Sequence, residues 1–169
     1  MEDSDMTAAT IKYPYLPPGR EIRYVAEADP WMREAREYAR EHSLDAAVKT
    51  GAIVVKEGVV IGRGANGSTY HQTHGCERVK RSIPTGQGYE LCEGCHPKNH
   101  AERQAVFNAM KEGYDAQGAD LYLWGHWWAC EPCWKAMIEA GIANVYLMKG
   151  SEVLFNKEHT DNIIGRQFE

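Results

Sequence analysis

His100-Ala101-Glu102 opens an apolar-faced stretch that runs through Ala105, Val106, Ala109 and Met110 to Lys111. Cys130-Glu131-Pro132-Cys133 opens the next such stretch, which ends at Gly141, and the strand-like Ala119–Trp124 lies between them. The first stretch carries its apolar residues at helical spacing and stops at Gly113. The second reads as a helix over 131–140. One imidazole and two thiolates are three protein ligands for Zn²⁺, which leaves a fourth position open for water, the pattern of a catalytic site rather than a closed structural one. A helix N-terminus stabilises a thiolate, so both ligand groups are expected at helix starts facing one cleft. Glu102, two residues from His100, is expected to shuttle a proton rather than bind metal. His-x-Glu alone is a weak signal, and Cys-x-x-Cys alone reads equally as a redox pair or half of a structural zinc site. Their order and spacing make the combination specific.

Working outward, Gly51–Lys56 and Val59–Arg63 flank Glu57-Gly58 and predict a β-hairpin. Asp29-Pro30 predicts a capped helix start for 31–42, where Trp31, Ala35, Tyr38 and Ala39 fall on one face. Residues 142–148 predict a strand, 153–155 a short one, and 160–166 a final helix. Helix, hairpin, helix, strand, helix, strand is an α/β order, with a mixed sheet of about five strands covered by helices. The domain is expected over 29–169. It is preceded by an irregular arm, 1–28, whose Pro14, Pro17 and Pro18 disfavour helix.

The chain has 169 residues and a formal net charge of −5, enough length for one domain with its own core. The acidity weighs against a non-specific nucleic-acid binder, which needs a basic face, but leaves room for a small anion. No stretch approaches the ~20 apolar residues of a membrane span. Glu2, Asp3 and Asp5 are unlike the start of a signal peptide. A cytoplasmic setting is therefore expected, with the five cysteines reduced.

At His100-Ala101-Glu102 and Cys130-Glu131-Pro132-Cys133 the chain resembles the zinc-dependent cytidine and deoxycytidylate deaminase superfamily, over residues 30 to 150. The superfamily's signature is His-x-Glu followed by Pro-Cys-x-x-Cys. One departure is plain: Ala129, not proline, precedes the first cysteine. The resemblance implies a three-layer α/β/α cytidine deaminase-like fold and hydrolytic deamination of an amino-substituted nucleobase. It also implies a base contact from the Ala101 backbone amide, a sugar contact from Asn66, and a homo-oligomer. Asn66-Gly67 is also an ordinary turn signal. Trp127 and Trp128 are candidates for stacking on the base or for core packing.

The long Cys- and His-bearing stretch at 67–99 resembles the insertion of the deoxycytidylate branch, in which some members hold a second zinc. Cys76, Cys92 and Cys95 with His74 or His71 would make a tetrahedral Cys3His set, and metal binding would order the loop; free thiols in a mobile loop are the alternative. Arg78, Lys80, Arg81 and Lys98 are candidate phosphate donors or a solvated basic stretch. The expected activity is zinc-dependent conversion of the cytosine of a free, dCMP-like nucleotide to uracil with release of ammonia. The alternatives are another base, a nucleoside or a single-stranded polynucleotide, and a non-catalytic zinc-binding module.

Overall fold

Strand β2 (Gly51–Lys56) is apolar on both faces because it lies inside a sheet with helices on either side. The computed structural model describes residues 11–45, 47–84 and 87–169, apart from the side chains of His71, Gln72 and Glu90. The other strands are β1 (Ile22–Val25), β3 (Val59–Ala65), β4 (Asp120–Trp124) and β5 (Asn144–Met148). The sheet order is β1-β5-β4-β2-β3. Strands β1, β5 and β4 run parallel, and β2 is antiparallel to both of its neighbours. Glu57 and Gly58, both at positive φ, make the two-residue turn that the right-handed twist of a β2–β3 hairpin favours.

The helices, in chain order, are α1 (Pro30–His42), α2 (Thr69–His74), α3 (Glu77–Lys80), α4 (Ala101–Lys111), α5 (Glu131–Ala140) and α6 (Ser151–Leu154). Asp29 caps α1, accepting from the backbone N–H of Trp31 and Met32 at 2.9 and 3.0 Å. Met32, Ala35 and Ala39 of α1 pack on Ile53, Val55, Tyr122 and Trp124 on one sheet face. Ala101, Ala105 and Ala109 of α4 and Cys133, Trp134 and Met137 of α5 pack on Ala52, Val54, Leu121 and Leu123 on the other. The three layers are thus those expected. Gly62 and Gly64 of β3 make room for α4. A Cβ on Gly62 would fall on the Ala105 carbonyl, and one on Gly64 on the Ala101 carbonyl.

Three expectations differ from what is observed. The fifth strand is β1, within the arm read as irregular, and not 153–155. Ile22 and Tyr24 point inward while Arg23 points out, and they line up with Val145–Met148. Residues 151–154 instead form α6, entered through Gly150 at φ 87°. The predicted C-terminal helix over 160–166 is a run of turns. Gln167 ties that end to β2's approach, accepting from Lys49 N and donating to Lys49 O, both at 2.9 Å. The 67–99 insertion contains α2, α3 and two single 3₁₀ turns, Tyr89–Leu91 and Pro97–Asn99. Residues 1–10 of the arm lie outside the described residues. No helix among the described residues is long and apolar enough to cross a membrane.

Candidate metal and catalytic site

His100 and Cys130 are the N-cap residues of α4 and α5, and Cys133 lies in the first turn of α5. The two helices pack side by side on one sheet face, so their N-termini meet. His100 Nδ1 is 3.3 Å from Cys133 Sγ and 3.4 Å from Cys130 Sγ, and the two sulfurs are 3.3 Å apart. Ligand bonds of about 2.1 Å to nitrogen and 2.3 Å to sulfur put tetrahedral donors about 3.6–3.8 Å apart. The triad is therefore already gathered to within a few tenths of an ångström of a zinc site. The donor set fits Zn²⁺.

Electrostatics agree with that reading. The hydrogen bond with Cys133 outweighs burial and holds Cys130 down at about 5, so Cys130 is the pair's thiolate at neutral pH. The same hydrogen bond, with burial, pushes Cys133 well above the ordinary thiol range. Burial works to lower His100, but the hydrogen bond to Cys130 and the Glu102 charge raise it overall. Glu102, only 5% exposed, is pushed up to about 7 by burial and by the Cys130 charge, against the opposing pull of His100. A carboxyl poised near neutrality can both accept and return a proton. The His100 side chain does not cap α4, and the N–H of Ala101 is among the first-turn donors without an intrahelical acceptor.

These groups open into a cleft of about 1160 Å³ bordered by Asn66, Tyr89, His126, Trp127 and Lys157. Asn66 lies there, but its amide is already engaged. Oδ1 accepts from Ser43 Oγ at 2.5 Å and Thr50 N at 2.9 Å, while Nδ2 donates to Val48 O at 2.7 Å. One Nδ2 hydrogen is left over for a ligand. Trp128 is 8% exposed and belongs to the core. Trp127 borders the cleft with its ring stacked on Tyr13, centroids 6.3 Å apart.

His126 is the residue that sequence reading did not single out as a site group. Its Nδ1 accepts from the backbone N–H of both Trp127 and Trp128, at 3.0 and 3.2 Å. Burial pushes it down to about 4. The ring is therefore neutral, and its proton sits on Nε2. The available signal was a lone polar residue between Gly125 and two tryptophans, just before the cysteine pair.

In the insertion the structure brings Cys76, Cys92 and Cys95 together, their sulfurs all within 4.8 Å. Cys76 Sγ and Cys95 Sγ are 3.4 Å apart, and burial pushes the Cys95 thiol up to about 12. Three convergent thiols fit a second zinc. His74 is not part of this group. Its ring stacks on Tyr70, and its Nδ1 lies 2.7 Å from Thr73 Oγ1. The His71 side chain lies outside the described residues. The candidate phosphate donors are engaged locally. Arg78 donates to Gln87 O, Pro84 O and Cys95 Sγ. Lys80 and Arg81 pair with Glu77, and Lys98 pairs with Glu93.

The family model for the "cytidine and deoxycytidylate deaminase zinc-binding region" matches residues 26–149. A 99-residue stretch, 59% of the chain, is 29% identical to ComE operon protein 2 of Bacillus subtilis, and covers about half (47%) of that protein's length. Among solved structures, dCMP deaminase from the cyanophage S-TIM5 in complex with dCMP and dUMP is 26% identical. That match covers 70% of this chain and 79% of that one, with a TM-score of 0.47. The Thermotoga maritima diaminohydroxyphosphoribosylaminopyrimidine deaminase/5-amino-6-(5-phosphoribosylamino)uracil reductase is 28% identical over 69% of this chain and 28% of that one, with a TM-score of 0.44. With the model spanning well over half of its residues, His100, Glu102, Cys130 and Cys133 included, the chain belongs to the cytidine and deoxycytidylate deaminase zinc-binding family.

Proposed function

We propose that this chain is a zinc-dependent hydrolytic deaminase that converts the cytosine of a free, dCMP-like nucleotide to uracil and releases ammonia. The observation that carries the reading is Glu102. It is a buried carboxyl held near neutrality beside three convergent ligands, where a purely structural metal site has no use for a proton carrier. Zinc held by His100, Cys130 and Cys133 supplies Lewis acidity that brings the pKa of water to about 7.

The chain's own residues do the rest. Glu102 takes the proton from the attacking water and delivers it to the departing amine. The Ala101 N–H, at the positive end of α4, is aimed to hold an acceptor on the base. Nε2–H of His126 offers a second, uncharged donor, and the free Nδ2 hydrogen of Asn66 a third, suited to a sugar hydroxyl. Lys157 at the cleft gives a single phosphate a cation. Asp45, Glu131 and Glu158 also border the cleft and disfavour a long polyanion. Metal-ligating thiolates suit a reducing, cytoplasmic setting, and the exposed Phe107 and Met110 of α4 suit a homo-oligomer.

One observation favours a second reading, an uncharged nucleoside or free base as substrate. Arg78, Lys80, Arg81 and Lys98 are bound to neighbours, which, among the described residues bordering the cleft, leaves Lys157 to carry phosphate recognition. Ammonia release from dCMP, deoxycytidine, cytosine, adenine, guanine and single-stranded DNA separates these readings. The nucleotide reading expects the highest kcat/KM for dCMP. Replacing Glu102 with Ala should lower turnover by at least about 10²-fold with zinc content unchanged. Equal rates for the variant and the natural chain would leave only the non-catalytic module.

A further inference from the structure

The two ligand clusters touch through a short bridge. The His100 ring, whose Nδ1 faces Cys130 and Cys133, also bonds the backbone of Cys95. Tyr89 presses its ring edge-on against His100, centroids 4.9 Å apart and planes at 87°. Arg78 lies over Tyr89, its guanidinium carbon 4.4 Å from the ring centre. The same guanidinium donates to Cys95 Sγ at 3.3 Å and is anchored on the Gln87 and Pro84 carbonyls at 2.8 and 2.9 Å. Two routes thus join the clusters. One runs from the Cys95 backbone to the imidazole, the other from the Cys95 sulfur through Arg78 and Tyr89 to the same imidazole.

We propose that Tyr89 and the Cys92–Cys95 turn are positioning elements that couple the two metal sites, so that zinc at Cys76, Cys92 and Cys95 raises zinc affinity at His100, Cys130 and Cys133. The inference rests on the zinc reading of both clusters. Residues 92–95 belong to no strand and no helix; a turn bond from Cys95 N to Cys92 O at 3.1 Å and Asn99 Nδ2 donating to the Glu93 and Gly94 carbonyls hold them, and a metal on Cys92 and Cys95 would tie the turn down further. Metal binding converts those thiols to thiolates. The Arg78 contact to Cys95 then becomes charge-assisted and stronger, which holds Arg78 over Tyr89 and Tyr89 against the imidazole. A metal-bound histidine depends on its second ring partner for orientation, and losing such a partner typically costs about 10- to 100-fold in metal affinity. Linkage makes the effect mutual: filling the catalytic site tightens the insertion site by the same factor.

The test follows zinc release from the loaded protein against a chromophoric chelator, with cobalt substitution to tell the three-thiolate site from the two-thiolate one. The natural chain is expected to hold two ions. Cys92→Ser should retain one, at His100, Cys130 and Cys133, and give it up at a chelator concentration about 10- to 100-fold lower. Tyr89→Leu leaves every ligand in place. It should keep both ions, weaken the two-thiolate site about 10-fold, and be rescued by Tyr89→Phe. The coupling is overturned if the natural chain holds only one ion, if Cys92→Ser retains its ion at the original affinity, or if Tyr89→Leu leaves the two-thiolate site unchanged. Metal coupling without ammonia release from any substrate in the panel would overturn the deaminase reading and leave this one standing.

Discussion

At the scale of single residues the site is built from groups with one task each. Burial holds His126 neutral and two backbone N–H groups occupy its Nδ1, so Nε2 offers a hydrogen bond without a charge. A single such bond is worth about 0.5–1.5 kcal/mol. His126→Ala is therefore expected to raise KM about 3- to 10-fold, with zinc content unchanged, in steady-state kinetics beside metal analysis. An unchanged KM would remove His126 from the substrate's contacts. The proposed role of Glu102 predicts the opposite: its loss should lower turnover and not be recovered at saturating substrate. The gathering of His100, Cys130 and Cys133, with Glu102 buried beside them, was legible in the sequence because each is written within a residue or three of a helix start. Asn66 was only half legible. Its place at the cleft was implied by the family resemblance, with the turn signal as the competing reading, but the Ser43, Thr50 and Val48 partners that use up most of its amide come from chain segments 16 to 23 residues away. Arg78 was misleading for a similar reason. A basic residue in sequence does not reveal that two carbonyls and a sulfur await it.

At the scale of elements, the seating of α4 on β3 sets where His100 and Glu102 begin. Gly62 and Gly64 let the alanine face of α4 lie directly on the strand. Gly64→Ala puts a methyl group against the Ala101 carbonyl and the Ala105 backbone nitrogen, one turn from the site. It is expected to cost about 1–3 kcal/mol of stability, read by chemical denaturation, and to lower activity more than Gly62→Ala, whose clash falls a turn further along α4. Equal loss of activity in the two variants would mean that the seating of the helix start does not matter. The hairpin, α1, α4, β4 and α5 were readable because their patterns are local. β1 was not. Its four residues follow a proline-rich run, and the partner that makes them a strand lies at the far end of the chain. The stretch at 153–155 has enough apolar residues for a strand, but Gly150 turns the chain into α6 before it can extend.

At the scale of the whole molecule, metal, fold and pH are linked. The raised Cys133 and His100 mean that zinc must displace protons held more tightly than usual. Affinity should therefore rise with pH. Displacing one proton changes the affinity by about one log unit per pH unit. The expected dependence has that slope where only Cys133 is protonated, and about twice that slope on the acid side of His100. Zinc competition assays from pH 5.5 to 8.5 would show it, and a flat profile would contradict the assignment of these ligands. Removing zinc with a chelator is expected to abolish deamination and to lower the melting temperature, because metal binding contributes directly to folding. The net charge of −5 acts at this scale too, opposing the accumulation of a polyanion around the molecule.

The position of β1 has a consequence in time. Arg20, just ahead of that strand, reaches the Ile142 carbonyl across 122 residues of sequence, and among the described residues β1 joins the sheet only through β5. During synthesis β1 must wait, unpaired with β5, until residues 144–148 have emerged. Pairings of such high sequence separation are slow to form. Docking of β1 should therefore be a late event in folding, after the β2–β3 hairpin and the helices that carry the metal ligands. Pulse-labelled hydrogen exchange should show protection at Ile22 and Tyr24 arriving last.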